Sequence, residues 1–138
     1  MPDGRDGRVV LIVQEELVIR MDVVEAFETG GFKIFEADTA EKAIDILLSE
    51  PTIRVVFTDV DLPGTMDGLT LAHYVRHRWP PTILLVGSGR AVLDTGALPS
   101  AARFVRKPYS SGNLAEAVLG ALSQIGAAAK RESSASLF

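Results

Sequence analysis

The chain has 138 residues, 47% of them hydrophobic and 23% charged, with a formal net charge of −4; this is the balance of an ordinary globular domain and gives no basic footprint for nucleic acid. It contains no cysteine, which excludes disulfides and thiolate metal centres. No run approaches the roughly 20 apolar residues that span a bilayer, and the opening MPDGRDGR lacks the apolar core of a secretion signal, so the sequence predicts a cytoplasmic protein with no membrane partner.

Residues 1–7 are polar and glycine-rich and read as a flexible tail, residues 8–127 as one folded domain, and residues 128–138 as a second flexible tail. RVVLIV at 8–13 opens the domain with an apolar run of strand length. Leu17, Met21, Val24 and Phe27 then recur at helical spacing, and Gly30-Gly31 ends that helix. FKIFEA at 32–37 predicts a second strand. Asp38 and Glu41 form a capping pair before Ala43, Ile44, Leu47 and Leu48, and Pro51 closes this second helix.

IRVVFT at 53–58 is the third strand, and it runs straight into Asp59. A third helix carries Leu71, Ala72, Val75 and Trp79, with Asp67 as its cap and Pro80-Pro81 as its stop. TILLV at 82–86 and ARFV at 102–105 predict the fourth and fifth strands. Between them RAVLDTGALPS at 90–100 gives a poor fourth helix, interrupted by Gly96 and Pro99. Leu114, Ala117, Val118, Ala121, Leu122 and Ile125 keep one apolar face of a fifth helix.

Continuous apolar runs suit strands buried on both faces. Five βα units with right-handed crossovers give a doubly wound α/β fold, a parallel sheet with helices on both sides. Its functional crevice lies beyond the carboxyl ends of the strands. There the sequence places Gln14, Glu15 and Glu16 after strand one, Asp59 and Asp61 after strand three, Gly87 and Ser88 after strand four, and Lys107-Pro108 after strand five. Carboxylates with carbonyls and water suit a hard cation such as Mg²⁺. A lysine opposite them suits an anion shared with that metal, which together describe phosphoryl transfer. With no Ser-His pair and no cysteine, the candidate nucleophile is a carboxylate, Asp59.

VLIVQEE (10–16), FTDVDLPGTMDG (57–68) and FVRKPY (104–109), in this order and at these strand ends, resemble the receiver domains of bacterial two-component response regulators. The resemblance runs from about Arg8 to about Gly126. It implies a flavodoxin-like (βα)5 fold with strand order 2-1-3-4-5, and a signalling domain rather than a turnover enzyme. It implies that Asp59 takes a phosphoryl group from a sensor histidine kinase or phosphotransfer protein. Glu15 stands where the family has its principal Mg²⁺-binding aspartate, and Gln14 where it has the preceding acid. Asp61 would give the metal a backbone carbonyl, Lys107 would pair with phosphoryl oxygens across a bond to Pro108 that is often cis, and Phe104 holds the aromatic switch position. Helix one would face the kinase, and the fourth helix, fifth strand and fifth helix would face a downstream protein. After the fifth helix the sequence holds only a short tail, so the resemblance predicts a stand-alone receiver that acts through a partner, or a fragment of a longer protein.

Two departures stand out. Gln14-Glu15 replaces the acid pair, which predicts weaker Mg²⁺ binding. Gly87 stands where the family has the Thr or Ser whose hydroxyl donates to the phosphoryl group, so either Ser88 substitutes or backbone donors serve. These departures also suit a pseudo-receiver that binds its partner without phosphorylation. A further alternative is a phosphohydrolase of the haloacid-dehalogenase type, whose DxD motif DVDLPGT (59–65) resembles. Simpler roles compete residue by residue: Asp59 and Asp61 as turn caps before Pro63-Gly64, Glu16 as a first-turn acid, Lys107 as a surface lysine, Phe104 as core, and His73 and His77 as a plain helix face.

Overall fold

In the computed structural model, which describes residues 3–4, 6–89 and 95–135, every apolar run becomes a strand: β1 (Val9–Val13), β2 (Lys33–Ala37), β3 (Val55–Asp59), β4 (Ile83–Ser88) and β5 (Arg103–Arg106). The five pair in parallel in the order β2-β1-β3-β4-β5, the flavodoxin-like arrangement that the sequence predicts. β1, β3 and β4 are buried along their whole length. β2 and β5 are edge strands and each keeps one residue buried, Ala37 and Val105, so burial on both faces holds for the central strands alone.

Helices α1 (Leu17–Thr29), α2 (Ala40–Ser49), α3 (Gly68–Arg78) and α4 (Ser111–Ala135) cover the two faces. The strand period of two sorts the side chains. Val9, Leu11 and Val13 of β1 join Ala43 and Leu47 of α2 and Leu71 and Val75 of α3 in one core. Val10 and Ile12 join Val23 and Phe27 of α1 and Leu114 and Val118 of α4 in the other. Each fully buried Leu, Ile or Phe contributes on the order of 1.5–3 kcal/mol by leaving water, so this double layer holds the strand ends in a fixed mutual register.

Three expectations change. In the stretch read as a fourth helix, residues 90–94 lie outside the described residues, and Thr95–Ala97 form a short 3-10 turn; the helix expected as the fifth is therefore α4 here. It stays helical to Ala135, past position 127 where the sequence reading closes the domain. α2 is capped by Thr39, whose side chain accepts from the Lys42 N–H at 3.1 Å, while Asp38 pairs with the Lys42 ammonium at 2.9 Å and Glu41 accepts from the Thr65 hydroxyl at 3.1 Å. The capping pair of the sequence is thus replaced by a cap one residue later, since Thr39 takes the extended backbone (φ −137°, ψ 160°) that a cap requires.

On α1 the expected stripe holds in its second half, where Phe27 is buried and Val24 packs on the core, but Leu17 and Met21 are exposed and Val23 is buried instead. Asp67 caps α3 as expected, its Oδ1 accepting from the Thr70 N–H at 2.8 Å. Asp67→Ala is expected to cost about 1 kcal/mol, read as a lower urea midpoint with an unchanged m-value; an unshifted midpoint would deny the cap its role.

Candidate functional site

Asp59 is the last residue of β3 and is 2% exposed. A carboxylate so placed is costly unless donors meet both oxygens. Here Lys107 Nζ donates to Oδ2 at 2.8 Å, and the Asp61 N–H donates to Oδ1 at 3.2 Å. The second bond is the local turn cap that the simpler reading foresees. The first is not local, for it joins residues 48 positions apart, and it takes Lys107 out of the class of ordinary surface lysines. Lys107 is held in turn by its backbone N–H, which donates to Ser88 O at 2.9 Å, and its peptide bond to Pro108 is cis.

The backbone around Asp59 is equally tied. The Val60 N–H donates to Gly87 O at 2.9 Å, and the Gly68 N–H donates to Val60 O at 2.8 Å. A Cβ on Gly68 would fall 1.6 Å from the Asp59 carbonyl oxygen, so only glycine lets α3 begin this close to the strand end.

At the end of β1, Gln14 is buried at 2% exposure. Its Oε1 accepts from the Glu16 N–H at 3.3 Å, while its Nε2 is buried with no hydrogen-bond partner among the described residues. Arg20 reaches over this turn, donating to Gln14 O at 2.8 Å and pairing with Glu36 at 2.9 Å. Glu15 and Asp61 are exposed. Among the described residues no three His, Asp or Glu side chains converge as a ready-made metal cage. Mg²⁺ asks for less: one or two carboxylates with waters in the remaining positions. The Asp59 and Glu15 carboxylates and the Asp61 carbonyl are hard oxygen donors of that type, and Gln14 withholds the extra charge.

Gly87 and Ser88 do not follow the fourth strand but are its last two residues. Gly87 pairs with Asp59 across β3 and β4, and by strand alternation it shares a face with Leu85, which packs with Phe57 on the α1 and α4 side. Ser88 is fully buried and points to the opposite face, that of Val86. The place where a side chain on Gly87 would stand is filled by Tyr109: a Cβ there would meet the phenolic oxygen at 1.7 Å and Cζ at 2.8 Å. The Tyr109 ring stands edge-on to Phe57, centroids 5.5 Å apart, with Lys107 Nζ 5.8 Å from its centroid. Burial first, and then the charge of Asp59, push the phenol above its ordinary pKa.

Tyr109 is the residue that sequence reasoning passes over. Its one signal is the pairing of a small residue at 87 with a large aromatic two positions past the lysine. Phe104, in contrast, is 38% exposed, on the opposite side of β5 from Val105, so it is not core. His73 is exposed on α3, with its Nε2 2.6 Å from Ala97 O, which suits the plain helix face.

The sequence matches the family described as response regulator receiver domain over residues 10–119. It is 30% identical over 112 residues to the response regulator protein FleR of Pseudomonas aeruginosa, an alignment covering 79% of this chain and 23% of FleR. It is 33% identical over 108 residues to the aerobic respiration control protein ArcA of Escherichia coli, covering 76% of this chain and 44% of ArcA. The chain thus spans less than half the length of either relative. The solved receiver domain of NtrX from Brucella abortus aligns with a TM-score of 0.74 at 27% identity, covering 83% of this chain and 98% of that one.

Proposed function

The chain belongs to the response regulator receiver family, and on that premise we propose that Asp59 accepts a phosphoryl group from a histidine kinase or phosphotransfer protein and that the acyl phosphate alters the surface read by a partner protein. The observation that carries this reading is the buried Asp59 carboxylate, with Lys107 on one oxygen at 2.8 Å and a backbone N–H on the other. In the transfer, an Asp59 oxygen attacks phosphorus and the bond from phosphorus to the donor imidazole nitrogen breaks. The electron pair of that bond stays on the imidazole, and an acyl phosphate remains on Asp59.

Lys107 holds the oxygen before transfer and is within reach of the new phosphoryl oxygens after it, a point charge suited to this task. When bound, Mg²⁺ supplies neutralisation of the phosphoryl charge, and Asp59, Glu15 and the Asp61 carbonyl are the residues that would hold it. α1 exposes Leu17, Val18 and Met21 at 58%, 73% and 58%, and α4 exposes Leu119 at 65%; an apolar patch of this kind supports kinase docking at α1. β5 and α4 are the parts of the expected downstream face that the described residues include.

Incubation with acetyl phosphate and Mg²⁺, followed by intact mass, tests the reading: a phosphoryl adduct is expected. If none forms, the pseudo-receiver reading gains, since the neutral Gln14 and the bare Gly87 both favour it. Gln14 also predicts the metal affinity. Gln14→Asp adds one charge beside the site and is expected to tighten Mg²⁺ binding about tenfold, the scale of one added charge near a divalent ion in a solvated setting. A Mg²⁺ titration giving equal affinities would show that position 14 does not face the metal.

A further inference from the structure

The phenolic oxygen of Tyr109 is buried and makes no hydrogen bond among the described residues, a state that folded proteins leave to few polar groups and usually for a reason. Its surroundings say where it is aimed. The oxygen stands 1.7 Å from the point where a Cβ on Gly87 would lie, about one bond length. A serine or threonine at 87 would carry its Oγ one bond beyond that same point, so the phenol occupies the space of the hydroxyl that Gly87 lacks. Gly87 is in register with Asp59 on the neighbouring strand, which sets this space beside the carboxylate.

The ring is held in this position. Phe57 meets it edge-on at 5.5 Å, and Phe57 in turn packs on Phe27 at 6.0 Å. Lys107, already bonded to Asp59, is 5.8 Å from the ring centroid. With its pKa raised by burial and by Asp59, the phenol keeps its proton and remains a donor. Ser88 cannot serve in its stead without leaving β4, since its side chain points to the other face of the sheet.

We propose that the Tyr109 hydroxyl donates a hydrogen bond to the anion formed on Asp59, so that Gly87 and Tyr109 act as a pair in place of a hydroxyl residue at position 87. The inference rests on Asp59 being the phosphoacceptor. Tyr109 is thus a phosphoryl-binding residue to which neither the fold nor the motif FVRKPY assigns a role.

The test compares the full chain with its Tyr109→Phe variant, using beryllofluoride as a phosphoryl stand-in in the presence of Mg²⁺, with affinity read by fluorine NMR. Loss of one hydrogen bond to a charged group predicts binding about tenfold weaker in the variant, with the Mg²⁺ affinity unchanged and the melting temperature no lower, because the ring and its packing stay and only an unsatisfied hydroxyl is lost. Equal beryllofluoride affinity would overturn the proposal, as would a parallel loss of Mg²⁺ affinity, which would mean that Tyr109 shapes the whole site. Tyr109→Ala opens the space over Gly87. Adding Gly87→Ser to it returns a hydroxyl to that space, and tighter binding than in Tyr109→Ala alone is expected. No gain would overturn the exchange of one hydroxyl for the other. A wild-type chain that neither binds beryllofluoride nor takes a phosphoryl adduct would instead refute Asp59 as phosphoacceptor, and the proposal would fall with it.

Discussion

Asp59→Asn is expected to abolish the phosphoryl adduct, and Lys107→Ala to slow its formation by about 100-fold, the usual penalty for removing one fixed donor to a developing anion. Both effects follow from the same bond. Asn lacks a nucleophilic carboxylate, so no acyl phosphate can form at 59 whatever the rest of the site offers. Alanine at 107 leaves the nucleophile intact but withdraws the charge now 2.8 Å from Oδ2. The two variants should part on a second measurement. Lys107→Ala removes the cation that competes for the Asp59 carboxylate, so its Mg²⁺ affinity is expected to rise even as its phosphorylation slows. Asp59→Asn removes a ligand, so its affinity should fall. Time courses with acetyl phosphate, read by intact mass, separate these outcomes. An adduct on Asp59→Asn would move the acceptor to another residue, with Asp61 the first to examine, and a wild-type rate in Lys107→Ala would make the buried ion pair purely structural.

The fold was legible because its signals are periodic. Apolar runs of strand length alternated with helical spacing, and the buried strands β1, β3 and β4 returned as predicted, within a residue or two at their ends. The meeting of Asp59 and Lys107 was legible for a related reason: Asp59 directly follows such a run, Lys107 follows another after one residue, and parallel strands deliver their carboxyl ends to one rim. What the sequence concealed depended on side-chain geometry. Whether Gly87 and Ser88 followed β4 or belonged to it altered which face each residue took, and a one-residue change in a strand reverses the face. The α1 stripe is half right because Leu17 and Met21 fit the helical spacing with Val24 and Phe27, and only packing shows that Val23 takes their place in the core. Tyr109 was invisible for a different reason. A tyrosine after Lys-Pro carries no motif of its own, and its meaning arises from the absence of a side chain on another strand.

That dependence on missing side chains is sharpest at Gly68. Gly68→Ala would set a Cβ 1.6 Å from the Asp59 carbonyl oxygen and 2.6 Å from its carbon. Both opposing atoms are backbone, so no rotamer change can relieve the overlap. Either the first turn of α3 or the end of β3 must move, and the Gly68 N–H bond to Val60 O and the Asp67 cap resist the first. A loss of about 3 kcal/mol is expected, the upper range for an overpacked site, read from urea unfolding. Gly126→Ala is the matched control. Gly126 lies within α4 with nothing within 4 Å of an added Cβ, so alanine there should add about 0.5–1 kcal/mol through helix propensity and a smaller unfolded-state entropy. The decisive comparison is made on the fraction of Gly68→Ala that remains folded at low temperature. If the strand end moves, that fraction takes phosphate more slowly than the wild type, because Asp59 is displaced from Lys107. If it reacts at the wild-type rate, the strain has been absorbed by α3, and Gly68 serves the fold without setting the position of the nucleophile.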